Sequence, residues 1–233
     1  MTVTSAIAEP TAQPETRLPE LLPHTDSTAI EKALVALESG ALVVAPTDTR
    51  YGLLGRADKL RTLERLFQTK QRPAELVTAV FVSSVSDIAR WAEITPIARK
   101  LLERFLPGPL TLVMQATDDA KRKLAPQVVR NGEIGIRVSA SSFMTRLLAQ
   151  APFPLTATSA NISGCQTHVE ILDIAEQFGE RVALYIDGGA LDGDVSTVVR
   201  CSADCIEILR KGALPIGNIR TALGNDAKVI CHD

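Results

Sequence analysis

The sequence predicts a single α/β domain built on a mixed β-sheet. Segments with helical spacing of apolar residues alternate with short apolar runs along the first part of the chain, and strand-like segments dominate near its end. Hydrophobic residues make up 45% of the 233 residues, enough for a substantial buried core. No internal repeat or linker follows residue 27, which favours one domain. Early alternation with late strands favours a mixed sheet over a purely parallel one.

Residues 1–26 are expected to form a flexible leader, because they lack hydrophobic periodicity. Four prolines punctuate this segment: Pro10, Pro14, Pro19 and Pro23. The folded domain is expected over residues 27–224, followed by a C-terminal tail over residues 225–233. The domain begins with a helix that Ser27 can cap and Gly40 can end. Its apolar residues recur at helical spacing: Ile30, Ala33, Leu34 and Leu37.

A strand over 41–46 follows, and then an amphipathic helix that ends near Lys70. The predicted core face of this helix consists of Leu60, Leu63, Leu66 and Phe67. Thr95 and Pro96 are typical of the N-cap and first position of a helix that runs to Phe105. Further strands are predicted over 78–83, 110–115 and 134–138.

The last third continues with a helix over 140–149 and a strand over 154–158. Thr167 and Glu170 have the spacing of a capping box that opens the next helix, and Gly179 ends it. Three strands near 182–186, 196–200 and 205–210 and a short helix complete the fold.

Composition restricts the classes of function. The net charge of −2 and pI of about 6.0 argue against nucleic-acid binding by bulk electrostatics, so direct tRNA binding is expected to be weak or absent. The basic run over 121–123 is most simply a solvated face, with an RNA contact as the alternative.

The cysteines show no pairing pattern, and the chain has no secretory hydrophobic segment and no apolar run of roughly 18 residues. A reduced, cytoplasmic protein without a membrane segment is therefore expected. Buried or incidental thiols are favoured over metal ligands at Cys165, Cys201, Cys205 and Cys231. No metal site can be read from the protein's own side chains.

Four polar clusters follow apolar elements and carry the functional signal. Over 45–53 a short apolar run turns into a polar loop, and ligands of open α/β sheets bind at such strand ends. Lys70 and Arg72, stopped by Pro73, form a cationic helix end that could hold phosphates. The third cluster, over 156–164, is dense in short hydroxyl side chains suited to hydrogen-bonding a nucleotide. The fourth comprises 196–199 with 208–212. The alternatives are ordinary turn chemistry for the first cluster and a favourable interaction with the helix dipole for the second.

Seven segments in order resemble the YrdC family, which makes threonylcarbamoyl-adenylate for a tRNA modification. They are PTDT-x-YGL at 46–53, K-x-R at 70–72, PGPLT at 107–111, G-I-R-V at 135–138, TSAN-x-SG at 158–164, STVV at 196–199 and LR-x-GA at 209–213. The chain departs from the family pattern at four positions: Arg50, Leu76, Val77 and Ser139. The resemblance implies a single α/β domain with a twisted, partly open, mixed sheet, flanked by helices around a concave cleft.

The resemblance also implies a reaction in which L-threonine, bicarbonate and ATP give threonylcarbamoyl-AMP and pyrophosphate. Adenylyl transfer needs positioning and charge neutralisation more than a protein nucleophile. Lys70 and Arg72 correspond to catalytic and phosphate-binding residues. The remaining ATP contacts correspond to Thr158, Ser159, Asn161 and Arg210, and the threonine side corresponds to Thr47, Tyr51, Arg137 and Ser196. Arg137 is suited to a bidentate grip on the α-carboxylate, with a partly buried ion pair as the alternative.

Mg²⁺ is expected to accompany ATP through phosphate oxygens and water. A downstream tRNA threonylcarbamoyl transferase complex is an expected partner. Three other functions remain open at this stage: a related carbamoyl-adenylate enzyme with another substrate, an RNA-binding or ribosome-maturation protein of the same fold, and an inactive paralogue. Retention of both K-x-R and S-x-N favours an active synthase.

Overall fold

The computed structural model describes residues 19–231. Its helices are α1 (Ala29–Glu38), α2 (Leu60–Thr69), α3 (Ile88–Trp91), α4 (Pro96–Phe105), α5 (Asp118–Lys123), α6 (Ser142–Gln150), α7 (Ile171–Phe178) and α8 (Ile216–Leu223). Its strands are β1 (Glu20–Pro23), β2 (Val43–Pro46), β3 (Tyr51–Leu54), β4 (Ala79–Phe81), β5 (Leu110–Gln115), β6 (Val129–Arg130), β7 (Glu133–Arg137), β8 (Leu155–Ala157), β9 (Leu184–Asp187), β10 (Thr197–Cys201), β11 (Cys205–Arg210) and β12 (Lys228–Cys231).

The strands form two sheets rather than the one sheet expected from the sequence. The smaller sheet has the order β1-β9-β2-β3, and the larger has the order β12-β11-β10-β5-β7-β4-β8 with β6 paired to β7. Both combine parallel and antiparallel neighbours, so the prediction of a mixed α/β fold is confirmed. Helices α1 and α6 contact each other, as do α4 and α8.

The two sheets meet along β3 and the residues that follow β8. The Leu53 amide donates to the Thr158 carbonyl at 2.9 Å, and the Ala160 amide donates to the Tyr51 carbonyl at 2.8 Å. An isolated bridge pairs Gly52 with Ser159. This seam therefore brings the first and third polar clusters of the sequence side by side.

The segment over 45–53, interpreted as a strand end that turns into a polar loop, is a β-hairpin in which only residues 47–50 form the turn. Strands β2 and β3 pair antiparallel with Pro46 opposite Tyr51. All four residues of β3 are buried, although Gly52 and the polar residues before it mask the strand pattern. Helix α2 also differs in detail, because Leu60, assigned to its core face, is 49% exposed.

Paired strands lie inside both the expected leader and the expected tail. Strand β1 pairs parallel with β9, and Leu22 packs against the apolar cluster below the small sheet. An edge strand tolerates Pro23 because only its inner side needs hydrogen bonds. At the other end, β12 pairs parallel with β11, so residues 228–231 belong to the large sheet. Residues 1–18 and 232–233 lie outside the described part of the chain.

Helix starts show which local signals govern capping. Thr95 caps α4 as predicted, its hydroxyl accepting from the Ala98 amide at 3.1 Å. The capping box predicted at Thr167 is wrong, because α7 begins at Ile171 with Glu170 as its N-cap. The first helix begins two residues after Ser27, at Ala29.

Candidate functional site

A cavity of about 450 Å³ opens beside the seam between the two sheets. Its volume falls in the range typical of small-molecule sites. The walls come from the β2–β3 hairpin, the segment over 72–79, and strands β5, β7, β10 and β11. Eight of the ten site residues named from the sequence line this cavity: Thr47, Tyr51, Arg72, Arg137, Thr158, Ser159, Ser196 and Arg210.

Six arginines line the cavity, and three of them that come from distant parts of the sequence are substantially buried: Arg72, Arg137 and Arg210. Burial lowers the pKa of each guanidinium. The positive charges of Arg137 and Arg72 lower the pKa of Arg210 further, so Arg210 lies within the field of the other two cations. Guanidinium groups held together in this way favour an anionic ligand that relieves their repulsion.

Arg137 lies at the end of β7 and is only 5% exposed. Its Nη2 donates to Asp48 Oδ1 at 2.8 Å, and its Nε donates to the Gly108 carbonyl at 3.3 Å. The buried ion pair considered from the sequence is therefore present, and Arg137 also lines the cavity. Ser139 donates a further hydrogen bond to Asp48 Oδ1, while Asp48 Oδ2 is buried without a partner.

Arg210 is fixed by the backbone and side chain of Ser196. Its Nη2 donates to the Ser196 carbonyl at 2.8 Å and to Ser196 Oγ at 3.0 Å, and its Nε reaches the same carbonyl at 3.1 Å. Ser196 Oγ lies 2.9 Å from Thr111 Oγ1. Gly212 permits this arrangement, because a Cβ there would lie 2.3 Å from the Val195 carbonyl oxygen.

Arg72 links the end of the α2 region to the segment that covers one side of the cavity. Its Nη2 donates to the Val77 carbonyl at 2.5 Å, and its guanidinium lies 5.7 Å from the centre of the Phe67 ring. Arg72 Nε is buried without a hydrogen-bond partner. The Leu76 and Val77 side chains beside it are 45% and 42% exposed and line the cavity.

The hydroxyls of Thr47 and Tyr51 are engaged within the protein. Thr47 Oγ1 donates to the Arg50 carbonyl at 2.5 Å and accepts from the Thr49 amide at 3.2 Å. Tyr51 Oη lies 2.6 Å from the Gly189 carbonyl oxygen and accepts from the Gly188 amide at 2.9 Å. Burial raises the pKa of the Tyr51 phenol to about 12. These residues shape the wall of the cavity, and their hydroxyls are largely satisfied.

Lys70 and Asn161 do not line the cavity, unlike the other sequence-named site residues. Lys70 is 1% exposed, and its Nζ donates to the backbone carbonyls of Ser159 and Asn161 at 2.5 and 2.7 Å. Asn161 Oδ1 accepts from Ser159 Oγ at 2.5 Å, and its Nδ2 donates to the carbonyls of Ile162 and Cys165. Both side chains lie behind Ser159, which does line the cavity together with Thr158.

Asp48 and Thr111 contact site residues, Arg137 and Ser196 respectively, but the sequence assigned no role to either. Asp48 stands inside the PTDT segment and Thr111 inside PGPLT, so both lay within recognised motifs. An acidic residue between two threonines, together with a buried arginine elsewhere in the chain, was the available signal for Asp48. The sequence could not show that Asp48 and Arg137 meet, because they are 89 positions apart.

The described residues offer no metal centre and no helix able to cross a membrane. Among residues 19–231, no group of three or more His, Cys, Asp or Glu side chains could hold a metal ion. None of the helices in that part of the chain is both long and apolar enough to span a bilayer. Cys201 is buried, and burial raises the pKa of its thiol to about 12, which keeps the thiol protonated and disfavours it as a nucleophile. The cavity is thus lined mainly by arginines, hydroxyls and apolar side chains, together with the carboxylates of Glu75 and Glu133.

Comparison with known proteins identifies the chain's relatives. A family model named for Sua5, YciO and YrdC, with the description "Telomere recombination", matches residues 35–212. The threonylcarbamoyl-AMP synthase of Pyrococcus abyssi is 33% identical over 192 residues, which cover 81% of this chain and 55% of that protein. A putative threonylcarbamoyl-AMP synthase of Mycobacterium leprae is 31% identical over 204 residues, covering 87% of this chain and 91% of that protein.

A solved structure is similar over most of the fold. The crystal structure of P. abyssi Sua5 complexed with L-threonine superposes with a TM-score of 0.82 at 29% identity. The match covers 91% of this chain and 62% of that chain. The chain thus spans little more than half of the P. abyssi proteins that it resembles. By the extent of the family match, the chain belongs to the Sua5/YciO/YrdC family.

Proposed function

We propose that this chain is a threonylcarbamoyl-AMP synthase, which uses L-threonine, bicarbonate and ATP and releases pyrophosphate. The observation that carries the proposal is the convergence of Arg72, Arg137 and Arg210 on one cavity. Both substrates that this cavity would hold are anionic at one end, a triphosphate and an α-carboxylate. The family membership and the relatives named threonylcarbamoyl-AMP synthase support the same activity.

The surroundings of each arginine suggest which of the two substrates it would bind. Arg72 and Arg210 would bind the phosphates, with Ser159 and Thr158 hydrogen-bonding the nucleotide. Arg137 would bind the threonine carboxylate, on the side formed by Thr47, Tyr51 and Ser196. Lys70 and Asn161 would support this wall from behind rather than touch the phosphates directly, since both are committed to the 159–165 backbone.

The proposed reaction requires no covalent intermediate with the protein. The threonine amine adds to bicarbonate with loss of water and gives a carbamate. A carbamate oxygen then attacks the α-phosphorus of ATP, the bond from that phosphorus to the bridging oxygen breaks, and pyrophosphate leaves with the electron pair. Fixed guanidinium groups would offset the charge on the leaving pyrophosphate without rearrangement at the moment of reaction.

Mg²⁺ would enter with ATP as part of the substrate, bound mainly by phosphate oxygens and water. The two carboxylates of the cavity wall are Glu75 and Glu133, and Glu133 lies 3.1 Å from Arg200. The site therefore suits a metal held chiefly by the nucleotide. We propose that the product passes to a tRNA threonylcarbamoyl transferase complex in the cytoplasm, where four unpaired cysteines would stay reduced.

The direct test follows pyrophosphate release from purified protein supplied with MgATP, bicarbonate and each amino acid in turn. Release that requires both bicarbonate and threonine is the expected result. Equal release without an amino acid would indicate a plain ATPase, and release dependent on a different amino acid would indicate another carbamoyl-adenylate enzyme.

A further inference from the structure

We propose that the Lys70 ammonium is a latch that holds residues 159–161 behind the cavity wall, and that an anion bound at Arg72 draws a proton onto Lys70. Lys70 is then a positioning residue whose protonation is linked to ligand binding. The inference rests on the proposed function only for the nature of the anion, which would be the polyphosphate of the nucleotide. The latch itself is independent of any activity.

Lys70 is hydrogen-bonded to the 159–163 segment through both its side chain and its backbone. Lys70 follows the last turn of α2, and its Nζ reaches the carbonyl oxygens of Ser159 and Asn161 and, at 3.4 Å, Asn161 Oδ1. In the opposite direction the Ser163 amide donates to the Lys70 carbonyl at 2.8 Å. One residue thus joins the end of α2 to both halves of the 159–163 segment.

The number of hydrogen-bond donors on Lys70 Nζ depends on whether the amine is protonated. An ammonium group has three donors, and Lys70 faces three oxygens that can only accept from it. A neutral amine has two donors and directs a lone pair at the third oxygen. Loss of the proton would therefore break one contact and turn another into a repulsion. Ser159 would lose the support that directs it into the cavity.

The charges around Lys70 connect the latch to the site. The described residues that contact its Nζ are uncharged, and the charged group that acts on it is Arg72, two residues further along in the cavity wall. Burial and, to a lesser extent, the positive charge of Arg72 together lower the pKa of the Lys70 ammonium to about 7. An anion paired with Arg72 offsets that charge, so it favours the protonated latch.

The test is an NMR titration of protein carrying ¹³C at the lysine Cε, from pH 6 to pH 10, with Lys70→Arg used to assign the Lys70 signal. Without ligand, Lys70 should titrate near neutral pH while exposed lysines titrate near about 10.4. Saturating pyrophosphate should raise the Lys70 pKa by about one unit or more. Arg72→Gln should raise it without ligand and abolish the pyrophosphate effect. A Lys70 signal that titrates with the other lysines, or that pyrophosphate leaves unmoved, would overturn the linkage.

Amide hydrogen exchange tests the latch separately. Lys70→Met should speed exchange at Ala160 and Ser163 by about tenfold or more, and Lys70→Arg, which keeps a cation, should speed it less. Lys59→Met, at the opposite end of the same helix, serves as the control. If Lys70→Met folds and leaves both amides as protected as in the parent, the latch is wrong. A protein that passes these tests yet makes no adenylate would overturn the synthase proposal alone.

Discussion

Arg137 and Asp48 form an ion pair at the edge of the cavity, with 2.8 Å between Nη2 and Oδ1 and side-chain exposures of 6% and 10%. A buried guanidinium needs such a counter-charge, yet one atom of the pair, Asp48 Oδ2, is buried without a partner. The pair fixes the plane of the Arg137 fork while Arg137 still lines the cavity. This arrangement suits a group that must present a fixed pair of donors to a carboxylate.

Replacing Arg137 should therefore separate the two substrates. Arg137→Lys should weaken threonine binding about tenfold to a hundredfold, because lysine keeps the charge but loses the planar fork, and it should change ATP binding much less. Calorimetric titration of each ligand into variant and parent measures both effects. A variant that loses ATP affinity and retains threonine affinity would show that Arg137 serves the nucleotide instead.

Arg72 should matter to the rate of adenylate formation. Arg72→Ala removes a proposed phosphate contact and should lower turnover by about two to three orders of magnitude, which corresponds to roughly 3 to 4 kcal/mol in the transition state. Arg90→Ala is the matched control, because Arg90 is exposed and lies over Trp91, away from the cavity. Near-normal turnover in Arg72→Ala, with an unchanged circular dichroism spectrum, would contradict the phosphate assignment.

Much of the site could be predicted because its chemistry is local in the sequence. Arg72, Arg210 and Ser159 stand in short polar segments that end apolar elements, and the structure brings them to one cavity. The direction in which each side chain points could not be predicted from the sequence. Lys70 and Arg72 are two residues apart, but the sequence cannot show that one side chain turns inward to backbone carbonyls while the other reaches the cavity.

The missed strands have a common physical origin. Strands β1 and β12 are edge strands of four residues each. The partner of β1 is β9, which is distant in sequence, and the partner of β12 is β11, the preceding strand. The hydrophobic periodicity of such short segments does not reveal either pairing. Pro23 and the preceding prolines suggested a leader. The structure shows that an edge position makes a strand-terminal proline compatible with pairing.

Strand β1 gives a prediction about truncation. Removing residues 1–26 should lower the free energy of unfolding by about 2 kcal/mol relative to removing residues 1–18, because the longer deletion also loses the Leu22 packing and the His24 amide bond to the Asp187 carbonyl at 2.7 Å. Urea unfolding of both truncated proteins measures the difference. Equal midpoints would mean that β1 contributes nothing to stability.

A substitution at Gly212 tests whether close packing there holds Arg210 and Ser196 in place. Gly212→Ala would place a Cβ 2.3 Å from the Val195 carbonyl oxygen and 2.7 Å from the Ser196 carbonyl, so the backbone must shift. We expect a loss of about 2 kcal/mol in stability and at least about a tenfold loss of turnover. Gly217→Ala is the control, since nothing lies within 4 Å of its added Cβ. Thermal unfolding and turnover of both variants decide whether close packing at Gly212 maintains the site.

The central claim is that the cavity joins threonine, bicarbonate carbon and AMP into one molecule. The most direct measurement incubates the purified chain with ¹³C-bicarbonate, L-threonine and MgATP and analyses the nucleotide products by mass spectrometry. The account predicts an adenylate that carries one threonine and one ¹³C atom, and its absence when L-valine replaces L-threonine, because a site that hydrogen-bonds the substrate hydroxyl rejects an analogue without it. AMP or ADP without a bound threonylcarbamoyl group, or an equal yield with valine, would contradict it.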